Sequence, residues 1–176
     1  MKRLLQLLAL LPVFFFQSAN AIEIEFFSEL ELLFKSEDYD VFFETAEKKA
    51  QEGDAEAIFL LGKAHHLGKG VPVDFNKAYD FYERAAGLNS AKAEHNIGVL
   101  ELDDFKNPYR ALPHFKKALD MGLKRPTLYN LGRTYMALCD WKADPEPCRL
   151  ASEYHLRAWN ETSEHESMDE AVLAQV

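Results

Sequence analysis

The chain has 176 residues, of which 48% are hydrophobic and 28% are charged, and its formal net charge is −9. This length suits one domain with a hydrophobic core of its own. The acidic excess and the lack of a basic tract argue against a protein that binds a nucleic-acid backbone or the surface of an anionic membrane.

The first 21 residues have the layout of a secretory signal peptide. Lys2 and Arg3 form a positive start, an apolar run follows over 4–16, and Ala19 and Ala21 are the small residues of a cleavage site. The run is shorter than the roughly 18–20 residues of a membrane span, which leaves a membrane anchor as the alternative. We expect a periplasmic or otherwise secreted protein that begins at Ile22 and has no membrane span after cleavage.

Three segments of the chain repeat, with glycines at intervals of 36 and 34 residues: Gly62, Gly98 and Gly132. A second segment follows each glycine, over 77–85, 110–118 and 150–158. Small and aromatic residues recur at helical spacing in both kinds of segment, which predicts two amphipathic helices, A and B, in each unit. A glycine inside a helix is unfavourable, so we expect it to permit close contact between helices.

Helix ends are marked by residues suited to capping. The predicted N-caps are Asp54, Asp74, Asn107 and Asp144, of which the last two precede a proline. Gly87 and Gly122 lie near predicted C-termini, where a left-handed residue is favourable. Pro113 falls inside a B helix and predicts a kink or a delayed start.

These signals divide the chain into six parts. A signal peptide (1–21) is followed by a degenerate helix pair (22–52), three repeat units (53–89, 90–124 and 125–160), and an acidic tail (161–176) with at most a short helix over 168–173. The predicted fold class is all-α: a right-handed α/α superhelical solenoid of about four helix pairs.

The first unit carries a distinctive combination of residues. It contains Ala55-Glu56-Ala57, Leu61-Gly62, the turn Gly68-Lys69-Gly70-Val71-Pro72, and then Lys77-Ala78, Phe81-Tyr82 and Ala85-Ala86. In this combination it resembles the Sel-1-like repeat, a relative of the tetratricopeptide repeat. The resemblance extends over about 53–159, although the second unit lacks the glycine turn and the third has a longer connection. It implies a solenoid that binds other proteins.

The chain has two cysteines, Cys139 and Cys148. In an exported protein this pair predicts one disulfide, which would join the end of helix A to the start of helix B in the third unit. Two free thiols are the alternative. Two cysteines without a nearby histidine pair do not make a zinc site, so we expect no metal and no cofactor.

No catalytic motif stands out. Gly-x-Ser-x-Gly, Ser-x-x-Lys, His-Glu-x-x-His and a phosphate-binding glycine loop are all absent from the sequence. His65 falls where the family has a buried tyrosine, which favours a core role. A cysteine-rich branch of the family is linked to penicillin binding and β-lactam hydrolysis, but it has a cysteine pair in nearly every repeat. A β-lactamase-like activity is therefore a secondary alternative to a non-catalytic protein.

In stacks of this kind the A helices line a concave face, and their polar and aromatic positions are candidates for partner binding. The predicted contact residues are Lys63, His66, His95, Asn96, Val99, Tyr129, Asn130 and Arg133. Asn96 and Asn130 fall where related repeats hydrogen-bond a ligand's backbone or terminal carboxylate. The alternative is that both asparagines stabilise the packing between units.

The predicted function is an exported, non-catalytic protein-binding module that is a monomer when free. Its partner would be an envelope protein for which it is an adaptor, regulator or inhibitor. Small periplasmic proteins of this family also serve as immunity proteins against lipase-type effectors of type VI secretion, and an acidic single-domain inhibitor fits that alternative.

Overall fold

The computed structural model describes residues 28–140 and 142–173, and the side chains up to residue 161. The predicted signal peptide, with Ala19 and Ala21, lies outside these residues. They form eight α-helices and one short π-helical segment: α1 (Glu29–Ser36), α2 (Tyr39–Gln51), α3 (Ala55–Leu67), α4 (Phe75–Gly87), α5 (Ala91–Val99), the π segment (Leu100–Asp104), α6 (Pro108–Asp120), α7 (Arg125–Ala137) and α8 (Glu146–Leu173).

The helices pack in chain order. Within each pair, α1 packs on α2, α3 on α4, α5 on α6 and α7 on α8, and successive pairs meet through α2 with α3, α4 with α5 and α6 with α7. This order confirms an all-α solenoid of four helix pairs. No helix in the described part of the chain is long and apolar enough to cross a bilayer.

The predicted N-caps of three helices are confirmed. The side chain of Asp54 accepts hydrogen bonds from the first turn of α3 at 2.8 and 3.0 Å. Asp74 and Asn107 accept one each, at 2.9 and 3.2 Å, from α4 and α6. Asp144 accepts from the backbone N–H of Glu146 at 3.0 Å, where α8 begins. Each bond satisfies an N–H group that has no partner within its own helix.

Two local predictions are corrected in part. Gly87 is the last residue of α4 and not its left-handed cap; Asn89, with φ 62°, takes that conformation instead, which an asparagine side chain tolerates. Pro113 does not delay its helix, because α6 already begins at Pro108. A proline this close to the helix start is exposed and removes only one internal hydrogen bond.

The predicted short helix in the acidic tail is also corrected. Helix α8 runs without a break from Glu146 to Leu173, so residues 161–173 continue the B helix of the third unit. From Cys148 to Leu173 the sequence contains neither glycine nor proline, and nothing in it forces a helix to end.

Each A helix meets the B helix of its own unit through a glycine and an aromatic ring. A Cβ on Gly62 would lie 2.9 Å from the ring of Tyr82, and a Cβ on Gly98 would lie 2.7 Å from the ring of Phe115. A Cβ on Gly132 would overlap the ring of His155. The three rings occupy equivalent positions in α4, α6 and α8. The expectation of close helix contact at the glycines is therefore confirmed.

The glycine turn of the first unit has a second steric role. Gly70 has φ 72°, and a Cβ there would lie 2.5 Å from Cβ of Tyr39 in α2. Glycine therefore lets this turn rest directly on the N-terminal helix pair.

Cys139 and Cys148 form a disulfide, as predicted from their spacing. Their Cα atoms are 4.8 Å apart. Cys139 follows the end of α7, and Cys148 is buried in the first turn of α8. The connection between helices A and B is longest in the third unit, which lacks the glycine turn of the first unit. The disulfide closes this connection and holds α7 and α8 together.

We predict that Gly98→Ala destabilises the fold by about 1–3 kcal/mol, because the added methyl group overpacks the contact with Phe115. Gly87→Ala is the matched control, since a Cβ at Gly87 meets no atom within 4 Å. It should leave stability unchanged or raise it by about 0.5–1 kcal/mol through helix propensity. Urea unfolding measures both; equal effects of the two substitutions would contradict close packing at Gly98.

We predict that Cys139→Ser with Cys148→Ser lowers the free energy of unfolding by about 2.5–3 kcal/mol, the chain-entropy value for a loop of this size. The helical circular dichroism at 25 °C should persist, because the bond closes one connection in one unit. Thermal melts of the variant and of wild type give the comparison. An unchanged melting temperature would mean that the bond does not stabilise the fold.

Candidate functional site

Tyr82 joins the first two units through its hydroxyl group. Nδ1 of His66 lies 3.3 Å from this oxygen, and Nδ2 of Asn96 donates to it at 3.2 Å. Nε2 of His66 is 3.3 Å from a carboxylate oxygen of Asp104. Burial raises the pKa of Tyr82. Two predicted contact residues, His66 and Asn96, are therefore engaged within the stack.

His95 joins the second and third units in the same manner. Its Nδ1 lies 3.1 Å from the hydroxyl of Thr127, and its Nε2 lies 3.3 Å from Nδ2 of Asn130. Neutral histidine with its proton on Nδ1 satisfies both contacts, because the asparagine N–H then donates to Nε2. The side chain is packed edge-on to Phe115. Burial lowers the pKa of His95 to about 4.

Arg133 completes this network. Its guanidinium donates two hydrogen bonds to Asp103, at 2.6 and 3.0 Å, and a third to Oδ1 of Asn130 at 3.0 Å. Asp103 and Asp104 both belong to the π segment. The segment thus directs Asp103 to the third unit and Asp104 to the first. Both asparagines hydrogen-bond to the preceding unit, as the packing alternative for them predicts.

The N-terminal part of the A-helix face is covered by α1. Nζ of Lys63 lies 5.3 Å from the centre of the Phe34 ring, and burial lowers the pKa of this lysine. Glu31 of α1 forms an ion pair of 3.0 Å with Lys92 of α5. Val99 is only partly exposed. Lys63 and Val99 therefore present less free surface than their groove positions suggest.

Tyr129 differs from every other predicted contact residue in its exposure to solvent. It occupies the same position in α7 as Phe59 in α3 and His95 in α5. Those two residues are 6% and 9% exposed, whereas Tyr129 is 57% exposed. Thr127 and Asn130 of the following unit contact His95, whereas no described helix lies beyond α7 and α8 to cover Tyr129.

A cleft of about 690 Å³ opens beside Tyr129, between α7 and α8. We call it the α7–α8 cleft; its lining residues are Arg125, Pro126, Tyr129, His155, Ala158 and Trp159. Trp159 is 70% exposed, while Ala86, its equivalent in the first unit, is 8% exposed. Among the side chains that the structure describes, up to residue 161, no carboxylate forms an ion pair with Arg125.

Sequence reasoning found Tyr129 but missed Arg125 and Trp159 as site residues. The signal for Trp159 was present, because a large aromatic residue stands where the first unit has alanine, in the last predicted B helix. Its meaning depends on the packing of the helices, because no described helix covers it.

We predict that His95 makes the fold less stable as the pH falls from 7 to 5. Its pKa is about 4 in the folded state against 6.5 when unperturbed, so the unfolded chain takes up the proton first. Linkage then gives a loss of about 2 kcal/mol from His95 between these pH values. His95→Gln should remove most of this slope in urea unfolding. Parallel slopes for variant and wild type would contradict a buried neutral histidine.

Two consecutive segments of the chain, residues 55–90 and 91–123, match the sequence model of the Sel1 repeat. No curated protein sequence matches the chain. Among solved structures, the chain is similar to a Sel1 repeat protein from Oxalobacter formigenes, with 26% sequence identity and a TM-score of 0.57. The match covers 75% of this chain and 57% of the other, so this chain spans just over half of that protein's length. The chain therefore carries two consecutive Sel1 repeats within a tetratricopeptide-like α-solenoid of the Sel1 type.

Proposed function

We propose that the chain is an exported, non-catalytic module that binds another protein through the exposed face of its last described helix pair, α7 and α8. Sel1 repeats favour a protein-interaction role in general. The exposure of Tyr129 and Trp159 around the α7–α8 cleft carries the more specific proposal. Tryptophan and tyrosine supply much of the binding energy at protein interfaces, and a soluble repeat stack normally ends in a polar face.

The other predicted contact residues have a supporting role in this proposal. His66, Asn96, Asn130 and Arg133 hydrogen-bond across unit boundaries, and such bonds hold neighbouring helices in one arrangement. A rigid stack pays less conformational entropy when it binds a partner. We therefore assign them to the scaffold and assign partner contact to the last helix pair.

Two observations support export. The N-terminal 21 residues have the composition of a signal peptide, and disulfides such as Cys139–Cys148 persist in oxidising compartments. The proposed location is the periplasm, where an envelope protein would be the partner.

A non-catalytic role is supported by the contacts of three ionisable side chains, Glu94, His66 and His95. Glu94 is buried and pairs with both His114 and Lys117. These two partners lower its pKa, although burial alone would raise it. Together with His66 and His95, these groups are engaged in contacts between helices, which is the pattern of structural polar networks.

A photo-crosslinking amino acid at position 129 tests the proposal in intact cells. We predict that it captures a partner protein, and that Trp159→Ser in the same chain removes the product. The matched control is the same crosslinker in place of Tyr109, which is 77% exposed at the start of α6. Capture from position 109 alone would place the interface elsewhere.

The intact mass of the recovered protein tests export in the same experiment. We expect a chain that starts at Ile22, and a retained Met1 would contradict export.

A further inference from the structure

We propose that the α7–α8 cleft receives an acidic amphipathic helix of another protein, packed where the A helix of a further unit would lie. This inference rests on the proposed function and names the kind of partner segment. It follows from the register of the stack and from the charge of the cleft.

The same face of each unit is covered by the A helix of the next. On the first unit, α5 packs against α4, and its Asn96 hydrogen-bonds to Tyr82. On the second unit, α7 packs against α6, and its Thr127 and Asn130 contact His95. A helix is thus the element that fills this position twice within the chain.

On the third unit, Tyr129 is equivalent to His95 and His155 is equivalent to Tyr82. They lie in the cleft, with ring centres 5.7 Å apart, and no described helix packs over them. Two neighbouring helices leave a groove between them into which the side-chain ridge of a third helix fits. An amphipathic helix laid in an apolar groove is also an established mode of peptide recognition.

The charge of the cleft selects among such helices. Its lining contains Arg125 and no carboxylate. A helix with acidic residues beside its apolar stripe would pair with this guanidinium, and a guanidinium–carboxylate bond is stronger than a neutral hydrogen bond. A second copy of the chain docked through the same face would instead bring two Arg125 side chains together, because a two-fold interface is made by one patch on both subunits.

The chain itself supplies a suitable probe. A peptide of residues 90–105 reproduces the helix that packs on the equivalent face of the first unit, and it contains four carboxylates and one lysine. Short helices are marginal in water, so the peptide is stapled on its solvent side and labelled for fluorescence anisotropy. A second peptide has all four carboxylates replaced by amides.

We expect the acidic peptide to bind the full mature chain, and Tyr129→Ser or Trp159→Ser to weaken binding about tenfold or more. Tyr109→Ser is the matched control and should leave binding unchanged. Arg125→Gln should weaken binding of the acidic peptide several-fold and have no effect on the amide peptide. All four residues are exposed, and circular dichroism verifies that each variant is folded.

Several results would overturn the inference. Absence of binding, or equal binding to wild type and Trp159→Ser, would exclude a helix in the cleft. Equal affinity for the acidic and amide peptides would exclude an acidic occupant. A dimer in sedimentation equilibrium that Trp159→Ser dissociates would identify a second copy as the occupant. If position 129 crosslinks a partner that the acidic peptide cannot displace, the proposed function stands and the helical occupant is wrong.

Discussion

The stack depends on one steric contact, made three times: a glycine in each A helix against an aromatic ring in the B helix of the same unit. Because Gly62, Gly98 and Gly132 have no side chain, the rings of Tyr82, Phe115 and His155 rest directly on the backbone. The two helices of a unit can then approach closely. Any larger residue would push the ring away and change the angle at which the next unit is presented.

This close approach determines where the polar side chains meet. Asn96 and Asn130 each stand two residues before a glycine, on the side of the helix that faces the preceding unit. There they reach the hydroxyl of Tyr82 and Nε2 of His95, and the latter atom would otherwise be buried without a partner. Leaving such a group unsatisfied costs about 1–3 kcal/mol, so the hydrogen bonds favour one register between units. The same register leaves Tyr129 and Trp159 exposed on the last described helix pair, so the proposed binding surface is a consequence of the repeat.

Much of the fold follows from local sequence signals. The intervals between glycines predict the helix pairs, Asp54 and Asp74 predict the helix starts, and the cysteine spacing predicts the disulfide. These signals act between residues that are near in the chain or that repeat with a fixed period. Asn89 shows the limit of such reasoning, because glycine and asparagine both tolerate a left-handed conformation and only the observed length of α4 decides between them.

The candidate site was less predictable, because it depends on contacts between distant residues. Arg133 has the position and charge of a ligand contact, but the π segment turns Asp103 toward it and the pair is satisfied internally. No periodic signal predicts that segment, which replaces the glycine turn of the first unit. Trp159 could be interpreted only once the packing of α8 showed an open face.

A double-mutant cycle between Gly98→Ala and Phe115→Leu tests the central contact most directly. If the glycine serves to receive the ring, shortening Phe115 makes room for the added methyl group. The two substitutions together should then destabilise the fold by at least about 1 kcal/mol less than the sum of their separate effects. Additive effects within about 0.5 kcal/mol would show that Gly98 and Phe115 act independently, and would contradict the account given for all three units.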